Sequence, residues 1–280
     1  MKKIHANNPV DTLLLIPNEI RDGRSTSEES LLVYGTYNHN NGIVNGEIVY
    51  NDLTTNKNVI KHTTGTLNIQ EHNKLIYAAN YNNLSIYKNT ELIHKNINNK
   101  INTNISIDKY NAVTNTEGEL MIFDDNLKEL QTYKLSKNSL WSNYQYNNMI
   151  VTGGEESKVF LIDIRSNHYD TFPTKMVSSI KIHNEIIYVG CYDGNMLLFD
   201  LRMNKVREIF VGGQIWGINF YSKFIVISCM HEGVKVLNYE FKSVYENKPK
   251  SMVYAACFKD NLLFFSSFYE NIIFMHELDI

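Results

Sequence analysis

The chain has few of the residues that cross-link or interrupt a fold. It contains only three cysteines among 280 residues, Cys191, Cys229 and Cys257. Their spacing matches neither a disulfide framework nor a CxxC metal site. There are also only four prolines and two tryptophans. The scarcity of cysteine favours a reducing, cytoplasmic compartment.

An excess of charge and long apolar runs are also lacking. The formal net charge is -3, which gives no reason to expect a nucleic-acid partner. No run approaches the roughly 18 to 20 apolar residues that a membrane helix needs, and the start, MKKIHANNPVD, lacks the apolar stretch of a secretory signal. The nine histidines are dispersed, so we expect no metal site and no cofactor.

What the chain does contain is a repeated unit of short apolar runs, clearest between Val177 and Glu240, where it occurs twice in succession. Aligned on the second run of each unit, seven copies begin at Leu31, Leu75, Asn111, Met149, Ile186, Phe224 and Leu262. The intervals are 44, 36, 38, 37, 38 and 38 residues. A nearly constant period of this length is typical of a repeat architecture.

The runs have the composition of strands. They are rich in Ile, Val, Tyr and Phe and are separated by Asn, Gly, Asp or Ser turns. The first strand of each copy is predicted at residues 12–17, 66–70, 103–108, 140–146, 177–183, 215–221 and 253–258. Four short antiparallel strands repeated seven times predict an all-β, seven-bladed β-propeller. A solenoid would need polar capping units, and the terminal copies are as apolar as the others.

Closing such a ring requires one more strand. Earlier copies leave room for a fourth strand, such as residues 205–211, but the last copy reaches Ile280 without one. Residues 2–6 are placed to supply it, so we predict that an N-terminal strand closes the last blade. Residues 1–280 would then form a single domain that needs no partner copy, and we expect a monomer. Two insertions in the first copy, residues 18–30 and 38–45, are predicted as loops.

Two repeat endings, FLIDIR (160–165) and LLFDLR (197–202), resemble the Trp-Asp repeat (WD40-like) family, with Phe or an aliphatic residue in place of the Trp. A second series resembles the diphthine methyl esterase family from about Leu31 to the C-terminus, most specifically GGQIWGI (212–218), SCMHEGVKVLN (228–238) and MVYAACF (252–258). Where that family has Gly-Gly-Asp-Asp, this chain has Gly153-Gly154-Glu155-Glu156. The resemblance implies a WD40-like propeller that removes the methyl ester from the diphthine intermediate on elongation factor 2.

Propeller geometry brings the starts of first strands and the ends of second strands to one face. Trp141, Trp216 and Tyr254 fall at strand starts on this predicted rim, beside tyrosines, carboxylates and one histidine that follow second strands. Any one of these aromatic residues could instead pack between blades. The substrate implied by the resemblance carries a trimethylammonium group, which binds best over aromatic faces. The candidate cage and its opposite charge are Trp141, Trp216, Tyr254, Tyr37, Tyr192 and either Glu155 or Asp193.

Ester hydrolysis needs a base, an attacking group and donors for the oxyanion. No Gly-x-Ser-x-Gly elbow precedes a helix, so His231 is the candidate general base, acting on water or on a side chain. Cys229 is a candidate nucleophile only if a neighbour lowers its pKa; other copies carry small residues at its position, which favours packing. Asp193 is a candidate orienting carboxylate, although Asp before Gly194 is also common in turns.

Two other functions remain open at this point. A WD40 scaffold that binds proteins without catalysis would share the fold, because propellers carry many functions. A reader of trimethylated peptides would share the aromatic cage but lack the base.

Overall fold

In the computed structural model, residues 1–17 and 30–279 are described, and they form seven antiparallel sheets. The first blade consists of β2 (Val10–Pro17), β3 (Ser30–Thr36), β4 (Asn38–Asn40), β5 (Ile43–Asp52) and β6 (Asn58–Thr63). The second consists of β7 (Thr66–His72), β8 (Leu75–Asn80), β9 (Asn83–Lys88) and β10 (Glu91–Ile97). The third consists of β11 (Asn102–Ile107), β12 (Asn111–Asn115), β13 (Glu119–Phe123) and β14 (Glu129–Lys134).

The fourth blade consists of β15 (Leu140–Tyr146), β16 (Met149–Gly154), β17 (Lys158–Asp163) and β18 (His168–Pro173). The fifth consists of β19 (Val177–His183), β20 (Ile186–Cys191), β21 (Asn195–Asp200) and β22 (Lys205–Phe210). The sixth consists of β23 (Gly217–Phe220), β24 (Phe224–Ser228), β25 (Val234–Asn238) and β26 (Ser243–Asn247). The seventh contains β27 (Ala256–Lys259), β28 (Leu262–Ser267), β29 (Ile272–Glu277) and β1 (Lys2–His5), with a 3-10 turn at Phe268–Glu270.

The predicted seven-bladed propeller is therefore confirmed. The first strand of each blade is innermost, and each inner strand contacts those of the two neighbouring blades, with β27 contacting β2. Apolar side chains fill the spaces between blades; at the seam between the first and last blades, for example, Leu32 and Tyr34 pack with Phe264 and Ile273. The inner strands surround a central channel.

The predicted closure by the N-terminal strand is also confirmed. Strand β1 pairs antiparallel with β29, with Lys2 opposite Met275 and Ile4 opposite Ile273. The first and last segments of the chain therefore share one sheet, which pairs an edge that β29 would otherwise expose.

The prediction of a loop at residues 38–45 is wrong. Strand β4 pairs with the start of β5, with Asn38 opposite Asn45 and Asn40 opposite Ile43. Between them Asn41 has φ 50° and Gly42 has φ 80°, the left-handed conformation that a two-residue hairpin turn requires and that Asn-Gly adopts readily. The other predicted loop, residues 18–30, lies almost wholly outside the described residues.

Two inner strands begin later than predicted. The sequence places them at residues 215–221 and 253–258, whereas β23 begins at Gly217 and β27 at Ala256. The residues ahead of these strands bond to the preceding blade instead: the Ile215 N–H donates to the Cys191 carbonyl, and Val253 bridges to Met230. No helix in residues 1–17 and 30–279 is long and apolar enough to cross a membrane.

Candidate functional site at the channel mouth

One face of the ring carries a set of equivalent side chains around the channel. In five inner strands the pairing with the second strand shifts by one residue near the start, as between Leu140 and Ser142. A bulge of this kind leaves one residue unpaired and re-aims its side chain. Trp216 and Tyr254 take the corresponding position just ahead of the two shorter strands. The seven residues of this mouth ring are Asp11, Leu67, Thr103, Trp141, Ser178, Trp216 and Tyr254.

All seven residues line a single cavity of about 340 Å³ in the channel. This volume lies at the lower end of the range for small-ligand sites, roughly 300–1,000 Å³. It suits a side chain or a small ligand that enters from one face of the propeller.

Three of the seven side chains form a continuous row of aromatic rings. The ring centroids of Trp141 and Trp216 are 5.5 Å apart, and those of Trp216 and Tyr254 are 5.2 Å apart. Phe268 extends the row beyond Tyr254 at 4.8 Å. The prediction that both tryptophans share one rim is confirmed. The Trp141 indole N–H also donates to Glu155 Oε1 at 3.3 Å, which fixes the ring relative to the end of the second strand.

The backbone beside each tryptophan is held from the neighbouring blade. The Thr103 hydroxyl donates to the carbonyl of Leu140, and the Ser178 hydroxyl donates to the carbonyl of Ile215. A Cβ added to Gly190 would lie 2.5 Å from Cγ2 of Ile215, so glycine is needed for this close approach. Small residues of the mouth ring thus position Trp141 and Trp216.

The other candidate tyrosines, Tyr37 and Tyr192, differ in exposure. Tyr37 is half-buried, its ring is 6.3 Å from that of Tyr81, and burial, Tyr81 and then Asp11 raise the pKa of its hydroxyl. Tyr192 is more exposed, at 40%. Burial raises the pKa of Tyr254, and the nearby Asp11, Tyr269 and Tyr192 raise it further. Tyr37 and Tyr254 therefore both lie within electrostatic reach of one carboxylate.

That carboxylate, Asp11, was missed by sequence reasoning. The first strand was predicted to begin at Thr12, but β2 begins at Val10 and places Asp11 at the bulge, equivalent to Trp141. Burial raises its pKa to about 7. The predicted strand starts concealed this equivalence, because Asp11 lies one residue ahead of its predicted strand (12–17), whereas Trp141 is the second residue of its own (140–146).

His231 lies on the same face but outside the aromatic row. It belongs to the exposed turn between β24 and β25, and the bridge between Met230 and Val253 brings this turn beside the segment leading to Tyr254. Its neighbour Glu232 is paired with Lys248 at 2.9 Å. Within the described part of the chain the His231 imidazole makes no hydrogen bond.

Asp193 is engaged by a lysine and a backbone amide. One of its oxygens lies 2.8 Å from Lys175 Nζ, and the other accepts the backbone N–H of Asn195 at 3.1 Å. Burial acts to raise the pKa of this carboxyl, but the contacts with Lys175 and Asn195 together outweigh it and lower the pKa. These contacts are the turn and ion-pair chemistry of an Asp before Gly194, and the role of Asp193 as an orienting carboxylate stays a prediction.

Cys229 does not meet the condition set for a nucleophile. Its side chain is fully buried in an apolar cluster with Ile215 and Ile227, and burial raises the pKa of the thiol to about 12. The thiolate, the reactive form, is therefore scarce at neutral pH. The alternative interpretation, that a small residue packs at this position, fits its surroundings.

One basic side chain lies deeper in the channel. Lys181 lines the cavity three residues beyond Ser178, with Nζ 5.2 Å from the centroid of the Tyr144 ring. Burial lowers the pKa of this lysine. Across residues 1–17 and 30–279, no group of three or more His, Cys, Asp or Glu side chains is arranged to hold a metal ion.

Comparisons with known proteins agree with the fold and with the sequence motifs. No protein-family model matches the chain. Human diphthine methyltransferase is 28% identical over 134 residues, which cover 44% of this chain and only 29% of that relative. One chain in the crystal structure of a mitotic checkpoint complex aligns with a TM-score of 0.80 over 99% of this chain and 91% of its own length, at 10% identity, a likeness of fold alone. The partial curated match and the propeller together support a resemblance to WD-repeat diphthine methyl esterases.

Proposed function

We propose that this chain hydrolyses the methyl ester of the diphthine intermediate on elongation factor 2. The observation that carries the proposal is the row of Trp141, Trp216 and Tyr254 at the channel mouth. Aromatic faces bind a quaternary ammonium at about 0.5 to 2 kcal/mol per contact, and the substrate carries a trimethylammonium group close to its ester. The partial match to a protein named diphthine methyltransferase supports the same substrate class.

Under this proposal water is the attacking group. The buried Cys229 thiol is a poor nucleophile, because burial raises its pKa to about 12. His231 is exposed at the same face, and an imidazole nitrogen can accept a proton from the attacking water. Glu155 holds the Trp141 ring through its indole N–H, so we assign Glu155 a positioning role in the cage.

The surface around the mouth supports a protein substrate. The four most exposed large apolar side chains in the described chain are Ile43, Ile97, Phe210 and Tyr269, which are 65 to 72% exposed. All four lie toward the mouth face: Ile43 in the hairpin beyond β3, Ile97 opposite the start of β9, Phe210 opposite the start of β21, and Tyr269 after β28. Exposed aromatic side chains are typical anchors in protein interfaces.

The test is methanol release from elongation factor 2 that carries methylated diphthine. The wild-type chain should release methanol, and His231→Ala should abolish release while leaving substrate binding intact. A matched control is His168→Ala, because His168 is also exposed but lies on an outer strand; it should retain full activity. Binding of the modified factor without any methanol release would replace the esterase proposal with a trimethylammonium reader.

A further inference from the structure

The cavity at the channel mouth contains one acid with no protein partner. Asp11 occupies the bulge position of β2 and lines the cavity. Among residues 1–17 and 30–279 its carboxylate accepts no hydrogen bond and forms no ion pair. Three other acids on this face are paired with lysines: Glu119 with Lys100, Asp193 with Lys175 and Glu232 with Lys248.

Protein surrounds this acid on most sides. Its pKa is raised because burial disfavours the charged form, and no cation within the described part of the chain offsets that effect. A poorly hydrated carboxylate without a counter-charge destabilises the fold unless a ligand supplies the missing charge. Because Asp11 lines the channel cavity, a ligand in that cavity could supply the counter-charge.

Two tyrosines lie within electrostatic reach of the acid. Tyr37 follows β3 and Tyr254 precedes β27, and the Asp11 charge contributes to the raised pKa of each hydroxyl. Trp216 then packs against Tyr254 at 5.2 Å. The Tyr254 hydroxyl donates to the Met252 sulfur at 3.5 Å. Its hydrogen is therefore engaged, and the group available to a ligand is the aromatic ring.

We infer that Asp11 determines specificity in a subsite for a methylated ammonium cation, with Tyr254 and Trp216 as its aromatic wall. A methylated ammonium needs few hydrogen-bond acceptors, which suits one carboxylate among aromatic rings, whereas a metal ion needs several oxygen ligands. The ligand class rests on the proposed function. The choice of Asp11 does not rest on that function, because it follows from the position of this acid in the cavity. Asp11 thus replaces Glu155 and Asp193 as the source of the opposite charge.

A pair of probes that differ in one atom tests this inference. Betaine methyl ester carries a trimethylammonium group, and methyl 3,3-dimethylbutanoate is its neutral carbon counterpart with the same shape. Binding can be followed by the indole N–H resonances, since the chain has only two tryptophans and both lie in the row. The wild-type chain should bind the cation at least about tenfold more tightly than the neutral probe.

The variant Asp11→Asn keeps the shape of the side chain and removes its charge. It should lose most of that tenfold preference while binding the neutral probe as before. The matched control is Glu117→Gln, which removes an exposed acid of the same face that lies 3.8 Å from Lys100 and should keep the preference.

Two results would overturn the inference. One is a wild-type chain that binds the two probes equally, an outcome that does not depend on whether any variant folds. The other is an unchanged preference in Asp11→Asn, or an equal loss in Glu117→Gln. The inference and the proposed function fail separately, because methanol release tests the esterase and the probe pair tests only the charge selection.

Discussion

At the scale of single residues, the mouth ring shows how one backbone irregularity assembles a site. The same bulge recurs at the start of inner strands and presents a different side chain in each blade, including Asp11, Trp141 and Ser178. Ser178 and Thr103 hold the backbone beside the tryptophans, so the small members of the ring support the aromatic ones.

Trp216 is the residue whose loss should separate binding from stability. It is only half-buried, so Trp216→Ala should weaken binding of the modified factor by roughly 3- to 30-fold, the loss of about one cation–π contact. The melting temperature should change little. Ile180→Ala, in the fully buried core, should instead cost about 2 to 5 kcal/mol of stability. Equal damage to binding and to melting temperature in Trp216→Ala would make Trp216 a core residue.

Asp11 should make the stability of the protein depend on pH. Its carboxyl titrates near 7 in the folded chain and has an ordinary value of 3.8, so the folded state loses stability as pH rises from about 4 to about 7. Asp11→Asn removes this cost and should raise the melting temperature at pH 8 but hardly at pH 4, with a gain on the order of 1 to 4 kcal/mol. The facing groups Tyr37 and Tyr254 have raised pKa values and stay neutral throughout. An identical shift at both pH values would contradict the assignment.

At the scale of strands, the sequence predicted regular elements better than irregular ones. The predicted strands at residues 140–146 and 177–183 coincide with β15 and β19. The strands after Trp216 and Tyr254 were predicted to begin too early, because the residues ahead of them bond to other blades. A hydrophobic pattern reports local alternation and carries no information on such distant partners.

Sequence reasoning also missed the hairpin at residues 38–45 and the acid Asp11. The Asn-rich stretch of residues 38–45 was predicted as a loop, although Asn41-Gly42 is the pair that a tight hairpin favours. Asp11 was passed over because alignment on the second strands left the exact start of the first strand undefined. The aromatic residues of the site could be predicted from the repeat. Asp11 could be assigned to the site only once the register of the bulge in β2 was known.

The two ends of strand β22 offer a matched test of the proposed protein-binding surface around the channel mouth. Phe210 at its mouth end is 72% exposed, and Val206 near its other end is 58% exposed. Phe210→Ser should raise KM for the modified elongation factor several-fold, since an exposed aromatic anchor is lost. Val206→Ser should leave KM unchanged, and neither variant should alter binding of betaine methyl ester. Equal effects of the two variants would show that the protein substrate does not contact this end of the blade.

At the scale of the whole molecule, the ring depends on a short strand at the opposite end of the sequence from its partners. The Ala6 N–H donates to the Asn271 carbonyl, so by alternation the N–H of Ile4 faces β29 and that of Lys3 points away. The closure of the propeller therefore rests on a few identifiable hydrogen bonds.

Proline substitutions in β1 should distinguish these two orientations. Ile4→Pro removes a hydrogen bond of the ladder and should cost about 3 kcal/mol, which lowers the melting temperature by roughly 6 to 12 °C. Lys3→Pro should cost much less, because its N–H faces away from the sheet. Thermal unfolding of the two variants measures the difference. If both melt like the wild-type chain, the N-terminal strand does not hold the ring closed.

The measurement that tests the central claim most directly is the position of the trimethylammonium group in the complex. Its nine methyl protons give one resonance, and the two indole rings supply the reporting protons. The complex to be measured is the full chain bound to a fragment of elongation factor 2 that carries methylated diphthine. The account predicts nuclear Overhauser contacts from the methyl resonance to both Trp141 and Trp216. Tight binding with contacts to neither indole would place the substrate elsewhere on the propeller and contradict the account.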